Sequence, residues 1–285
     1  MKKWMTLMAT SALALSLVAC NTSATPTSKT SEENTSDLTL KQVFEKSLAQ
    51  SESIESLSAD LDMVQKIEVP AQDVAMDTSS KMTMDLIVDP LSMHQKGTTS
   101  TTIPGEESTG QPQEIEMESF MTADGFFTQD NMSQQWMKLP KDMYEQMISI
   151  SQKQADPSQQ LKDLEIFMDD FTFNQDDKEY VLKLSASGEK FNELIQKQLA
   201  ETMPELGADE QEMLKELNIK KVDYEIHIDK ETFNTTALNV VMDMTMAVDG
   251  EEMTLYQDMK STFSNYNGVK KIVVPQEVLD TAQEM

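Results

Sequence analysis

The sequence contains no arginine: its 23 basic residues are all lysines, set against 50 Asp and Glu, for a formal charge of −27. Nucleic-acid recognition draws on a basic footprint and on Arg forks for phosphates and bases, so that class is excluded. There is one cysteine, Cys20, and therefore no internal disulfide; stability has to come from a packed core rather than from staples. Glycine is scarce, with eight in all, and no G-x-S-x-G, H-E-x-x-H or phosphate-cradling glycine loop occurs. The two histidines, His94 and His227, lie far apart in the chain, and His227 has the polar parity of its strand. Both are expected as exposed side chains rather than as ligands or bases. No D-x-D-x-D-G…E loop is present, so Asp169-Asp170 and Asp176-Asp177 read as solvated charge rather than a calcium site. These absences leave no candidate catalytic residue, metal or cofactor, and a non-enzymatic protein is expected.

Long hydrophobic runs are also missing, with one exception at the N-terminus. Lys2 and Lys3 precede an uncharged stretch over residues 4–19 that ends in Leu17-Val18-Ala19-Cys20. A basic segment followed by a short apolar one reads as a signal peptide, and the run falls short of the roughly 20 residues a spanning helix needs. Its end resembles the bacterial lipobox. That resemblance implies a diacylglycerol on the Cys20 sulfur and cleavage before it, giving a signal peptide over 1–19. Two acyl chains supply the stable anchoring that one chain does not. Loss of Lys2 and Lys3 takes the formal charge to −29, and such a chain is repelled by an anionic surface. An anchor of this kind would hold the protein at the outer face of the cell membrane.

Residues 20–36 begin with the anchored Cys20 and continue through "NTSATPTSKTSEENTS", which offers nothing to bury and reads as a disordered tether. Residues 37–285 are enough chain for a single sizeable domain. Order is predicted from Leu38: Thr39 with Gln42 forms a capping box, Leu38 and Val43 a staple, and Leu40, Val43, Phe44 and Leu48 recur at helical spacing. Further helices are predicted at Met143–Ile148 spacing after Pro140, around Leu161, Leu164 and Phe167 after Pro157, between residues 187 and 217, and over 278–282 after Pro275.

Elsewhere the apolar period is two. Leu57, Ala59, Leu61 and Met63 alternate with polar residues, as do Met82, Met84, Leu86 and Val88, then Ile115, Met117 and Met121, then Phe171 and Phe173, Tyr180, Leu182 and Leu184. The clearest alternations are Val222, Tyr224, Ile226 and Ile228, the run from Leu238 through Val240, Met242, Met244 and Met246 to Val248, and Met253, Leu255 and Met259. Asp124-Gly125 and Asp249-Gly250 read as two-residue hairpin turns. The expected fold class is α+β, a large curved antiparallel sheet with helices over one face. Methionine is abundant, with 23 residues. Thioethers are soft ligands for Cu(I), but period two places these side chains on one sheet face, as a buried face also requires. Flexible Met suits either gap-filling or the lining of a deformable apolar cavity.

Several stretches carry a resemblance over about residues 38–283: "VDPLSMHQKG" at 88–97, "QQWMKLP" at 134–140, "VDYEIHIDKETF" at 222–233 and "KIVVPQEV" at 271–278. With the lipobox and tether they resemble an uncharacterised lipoprotein family of Gram-positive bacteria. That family is similar to the LolA, LppX and LprG group of lipoprotein and lipid carriers. The resemblance implies a half-open β-barrel closed by helices over a hydrophobic cavity. The expected function is binding or carriage of an apolar ligand, a lipid or acylated glycolipid, by a monomer with no nucleic-acid partner. The expected lining is Met82, Met84, Leu86, Met117, Met121, Val240, Met242, Met244, Met246, Met253 and Met259. The alternative is a solid-cored interaction module at the cell envelope with an acidic partner-binding surface.

Overall fold

The computed structural model describes residues 23–27, 30–72, 74–102, 112–154, 157–186, 191–194, 217–248 and 251–284. The predicted signal peptide, Cys20, most of the helical region predicted over 187–217 and the turn predicted at Asp249-Gly250 lie outside these residues. The elements in chain order are β1 (Thr25–Pro26), α1 (Leu40–Ser51), β2 (Ser56–Val69), β3 (Val74–Ile87), β4 (Ser92–Thr102), β5 (Gln113–Thr122), β6 (Gly125–Asp130) and β7 (Met137–Lys138). They continue with α2 (Lys141–Gln154), α3 (Pro157–Leu164), β8 (Thr172–Gln175), β9 (Glu179–Ala186), β10 (Asn218–Asp229), β11 (Thr235–Val248), β12 (Glu251–Ser264), α4 (Gln276–Thr281) and β13 (Gln283–Glu284).

All strands belong to one open sheet in the order β1-β8-β9-β10-β11-β12-β2-β3-β4-β5-β6-β7-β13. Two antiparallel meanders, β8 to β12 and β2 to β7, are joined where β12 pairs with β2, with Met259 opposite Met63 and Phe263 opposite Ala59. The sheet is mixed rather than purely antiparallel, because β1 on β8 and β13 on β7 are parallel. Its four central strands, β11, β12, β2 and β3, have 14 residues each, and the strands shorten on either side to two residues at β1 and β13.

Period two makes one face apolar across many strands. One rung runs Leu184, Tyr224, Val240, Met259, Met63 through paired positions of β9, β10, β11, β12 and β2. Helix α1 starts at the expected capping box, in which Thr39 Oγ1 accepts from Gln42 N and Gln42 Oε1 accepts from Thr39 N. It buries Leu40, Val43 and Phe44 against this face in a cluster with Leu182, Val222, Ile226, Leu161 and Phe167. Tyr144, Met147 and Ile148 of α2 pack over a second cluster with Leu57, Leu86 and Met121. The C-terminal segment covers the opposite face near β5 and β6, where Val274 and Val278 pack on Phe120 and Phe127.

Three local expectations change. The β5–β6 hairpin turns at Ala123-Asp124, because Gly125 (φ 130°) is already paired with Thr122. A Gly there accommodates a backbone conformation closed to other residues. The helix predicted through Phe167 ends at Leu164 and continues as a 3-10 segment over Glu165–Asp170. The expected tether is seated on the sheet edge over its described residues. Ala24 is buried and β1 pairs with Asn174 and Gln175; Pro26 fits there because an edge strand needs no donor on its outer side. Gln175, fully buried, donates through Nε2 to the carbonyls of Ala24 and Ser36 at 2.8 and 3.0 Å and accepts from Ser36 N at 2.9 Å. Asp177, read as solvated charge, accepts from both Ser31 N and Ser31 Oγ. The segment's polar groups are thus satisfied by the domain instead of by water, which composition does not reveal.

Replacing Gln175 by Ala leaves two carbonyls and an amide N–H of this segment without their partner. The expected cost is about 2 kcal/mol, or about 4–8 °C in Tm for a chain of this size, with proteolytic nicking within residues 23–36 rising in parallel; unchanged thermal and proteolytic stability would show that the segment is not held this way.

Candidate functional site

Between the two apolar clusters the core is interrupted by a cavity of about 600 Å³. Its floor is the sheet: Leu57, Met84, Leu86, Met93 and Met121 on one side of the β12–β2 seam, and Ile226, Leu238, Val240, Met242, Met259 and Phe263 on the other. Ser47 and Ser51 of α1, Ser151 of α2, and Leu161, Asp163 and Leu164 of α3 lie over it, with Leu194, Phe233, Asn234 and Tyr266 at its margins. Ligand sites typically measure about 300–1,000 Å³ and are lined mostly by apolar side chains with a few polar groups, a description this cavity meets.

Of the residues predicted to line a cavity, Met84, Leu86, Met121, Val240, Met242 and Met259 do so. The others stand away from it. Met82 lies over Gly97, where a Cβ would come within 2.8 Å of the Met82 Cα and Cγ, and its sulfur accepts from Gln95 Nε2. Met244 packs on the larger cluster. Met246 and Met253 oppose one another further along β11 and β12, two rungs beyond Met242. Met117 is 42% exposed and borders a more open groove with Lys96 and Glu116. Period two identifies the face correctly but not how far along a 14-residue strand the helices reach.

The polar lining was not anticipated, although part of its signal was present. Ser47 and Ser51 follow Leu40 and Val43 at helical spacing, and therefore share the inward stripe of α1. Ser47 is 1% exposed, and its Oγ has no hydrogen-bond partner among the described residues. The same holds for the buried Oδ1 of Asn234. Asn234 follows Phe233, which sits at φ 59°, uncommon for a bulky side chain. The turn is imposed by Asp229, whose Oδ1 accepts from Glu231 N, Thr232 N and Thr232 Oγ1 while its carbonyl receives Phe233 N. Burial, with the Asp163 carboxylate adding to it, pushes the Tyr224 phenol up to about 12. Burial likewise raises Tyr266, whose hydroxyl donates to the Thr235 carbonyl. Both therefore face the site as neutral phenols.

An open sheet with helices enclosing an apolar cavity is the class of protein these features define. The chain belongs to DUF6612, a family of unknown function, whose model matches residues 39–283. Comparison with curated proteins finds no match. Among solved structures it is similar to a DUF1329 family protein from Desulfovibrio piger, at 10% identity and a TM-score of 0.22, covering 81% of this chain and 95% of that one. It is also similar to a beta-barrel-like protein of the domain of unknown function DUF1849 from Brucella abortus, at 8% identity and a TM-score of 0.18, covering 73% of this chain and 99% of that one. Likeness at these scores carries no argument about this chain. No helix among the described residues is long and apolar enough to cross a membrane.

Both histidines depart from the expectation of free, exposed side chains. His94 stacks on Phe120 with ring centroids 4.4 Å apart and its Nε2 meets Glu118 Oε1 at 2.8 Å. His227 lies on the outer face of β10 between Glu179 and Glu225, each 2.8 Å from one ring nitrogen. Burial alone would lower its pKa, but hydrogen bonds and charges from Glu225 and Glu179 more than offset that and raise it. A raised folded-state pKa stabilises fully below the unfolded value of about 6.5, and the contribution is lost as pH rises through the folded value. Tm is therefore expected to fall by a few degrees between pH 6 and pH 9, and His227→Gln to flatten that fall. Identical pH profiles for the two proteins would remove His227 as the cause.

Proposed function

We propose that this chain is a non-enzymatic, extracytoplasmic lipoprotein. It is held on the outer face of the cell membrane by a diacylglycerol at Cys20, and it binds or carries a lipid or acylated glycolipid. In this reading the open sheet and its helices serve as a half-barrel of the LolA, LppX and LprG kind, with α1, α2 and α3 as the lid. The observation that carries the proposal is the apolar cavity between the two core clusters. Filling it with acyl chain stabilises the complex by about 25 cal/mol per Å² of apolar surface removed from water. Met84, Met121, Met242 and Met259 give the lining side chains that adapt to chains of different shape. A solid interaction module would have one continuous core instead.

Two measurements test the two halves of the proposal. The neutral fluorophore N-phenyl-1-naphthylamine should brighten saturably on binding the protein. Met242→Trp, which fills the cavity, should weaken that binding about tenfold or more while leaving circular dichroism and Tm nearly unchanged. No enhancement with the parent protein overturns the cavity reading. For the anchor, metabolic labelling with an alkynyl fatty acid should mark the parent protein and not Cys20→Ala, and an unlabelled parent would refute lipidation.

A further inference from the structure

The cavity is not uniformly apolar, and two of the polar side chains that line it carry a buried atom without a partner among the described residues. Ser47 Oγ and Asn234 Oδ1 are both buried, both line the cavity, and neither has a partner among the described residues. The residues beside them approach one another, Lys46 Nζ of α1 standing 4.8 Å over the ring of Phe233. Buried polar atoms of native proteins are nearly always paired, because an orphan forfeits its hydration without replacement. A carbonyl-type oxygen is an acceptor only, while a hydroxyl both accepts and donates. The Asn234 oxygen therefore calls for a donor, and a ligand hydroxyl can serve it and Ser47 alike. Charge narrows the choice. Among the described lining residues the only charged side chain is Asp163, whose Oδ1 accepts from Gln159 Nε2; Lys46 is exposed and is not part of the lining. An anionic head would be desolvated beside a carboxylate and an acceptor oxygen with no cation opposite it among the described lining residues, which low dielectric makes costly.

We infer that the cavity takes a neutral amphiphile whose polar end carries hydroxyl donors, a partial acylglycerol or similar hydroxylated acyl ester, and discriminates against free fatty acids. The inference rests on the reading of the cavity as a lipid site. Ser47 and Asn234 receive the hydroxyls while the acyl chain lies along Met84, Val240 and Met259. A site built to bond a hydroxyl rejects the analogue without it, because its own buried groups are then left unpaired.

Three probes with the same C18:1 chain separate the possibilities when they displace N-phenyl-1-naphthylamine from the full chain at pH 8. Monoolein, with two hydroxyls, should compete about tenfold better than methyl oleate, which has none, and better still than oleate. Ser47→Ala should reduce the advantage of monoolein over methyl oleate several-fold while holding or raising Tm, since it removes an orphan hydroxyl from the unliganded protein; a merely structural Ser47 would leave that ratio unchanged. Asn234→Ala should act in the same direction. Equal competition by all three probes, or preference for oleate, overturns the head-group assignment and leaves the cavity reading standing. Displacement by none of them, together with no fluorophore binding, removes the cavity reading itself.

Discussion

The pairing of β2 with β12 is the constraint on which the rest depends. These strands stand near opposite ends of the sequence, yet they run side by side from the Ser58–Ser264 pair to the Glu68–Thr254 pair. Within each meander most neighbouring strands are joined by short connections, β9 and β10 being the exception. Without this seam there would be two smaller sheets, each with a 14-residue edge and half of the cavity floor. The loop that the seam closes is long, but closure entropy grows only slowly with length. The cost falls on folding speed, since non-local strand pairs form late. Asn267 reinforces the seam just past β12: its Oδ1 accepts from Glu55 N and Ser56 N, and its own N–H donates to the Ser56 carbonyl. A left-handed φ of 57° at Asn267 makes this possible, and Asn tolerates that region better than most residues.

Joining the meanders brings two apolar faces side by side without merging their cores. The cluster under α1 and α3 is built from Phe, Tyr, Leu and Ile, and the one under α2 from smaller groupings of Leu, Met and Ile. The space between them is bridged by methionines and by residues of the helices and turns. A core that stops short of filling its sheet gives up dispersion contacts along the gap. Such a gap is a sensible arrangement where a ligand restores those contacts.

Much of this was legible in the amino-acid pattern. The capping box at Thr39 and Gln42, the alternation from Leu238 onward and the shared face of Val240, Met242 and Met259 all follow from local chemistry, and local chemistry decides them. The unread parts depend on what comes to rest on what. The docking of Ala24 and Ser36 depends on partners such as Gln175 and Tyr180, some 140 positions away. The outward histidine of β10 is hidden by carboxylates from its own and the adjacent strand, which parity alone cannot report. Ser47 looks like a neutral helix residue until the stripe it shares with Val43 is seen to end at a cavity. Side-chain periodicity tells which way a residue faces, whereas occupancy of the space it faces is a property of the assembled layers.

The narrowing of the sheet has a consequence for the company this molecule keeps. An open sheet of this width would ordinarily offer two long margins of unpaired N–H and C=O groups, each a template for another chain. Here most of the ladder lies in the middle, among β11, β12, β2 and β3, each of which pairs on both sides. The outermost strands, β1 and β13, are two residues apiece. A second copy arriving edge-on finds only short, stepped stretches of ladder to extend. Crowded copies therefore have little on which to knit into a ribbon, and the architecture leaves its sheet unclosed with less of the hazard that openness usually brings.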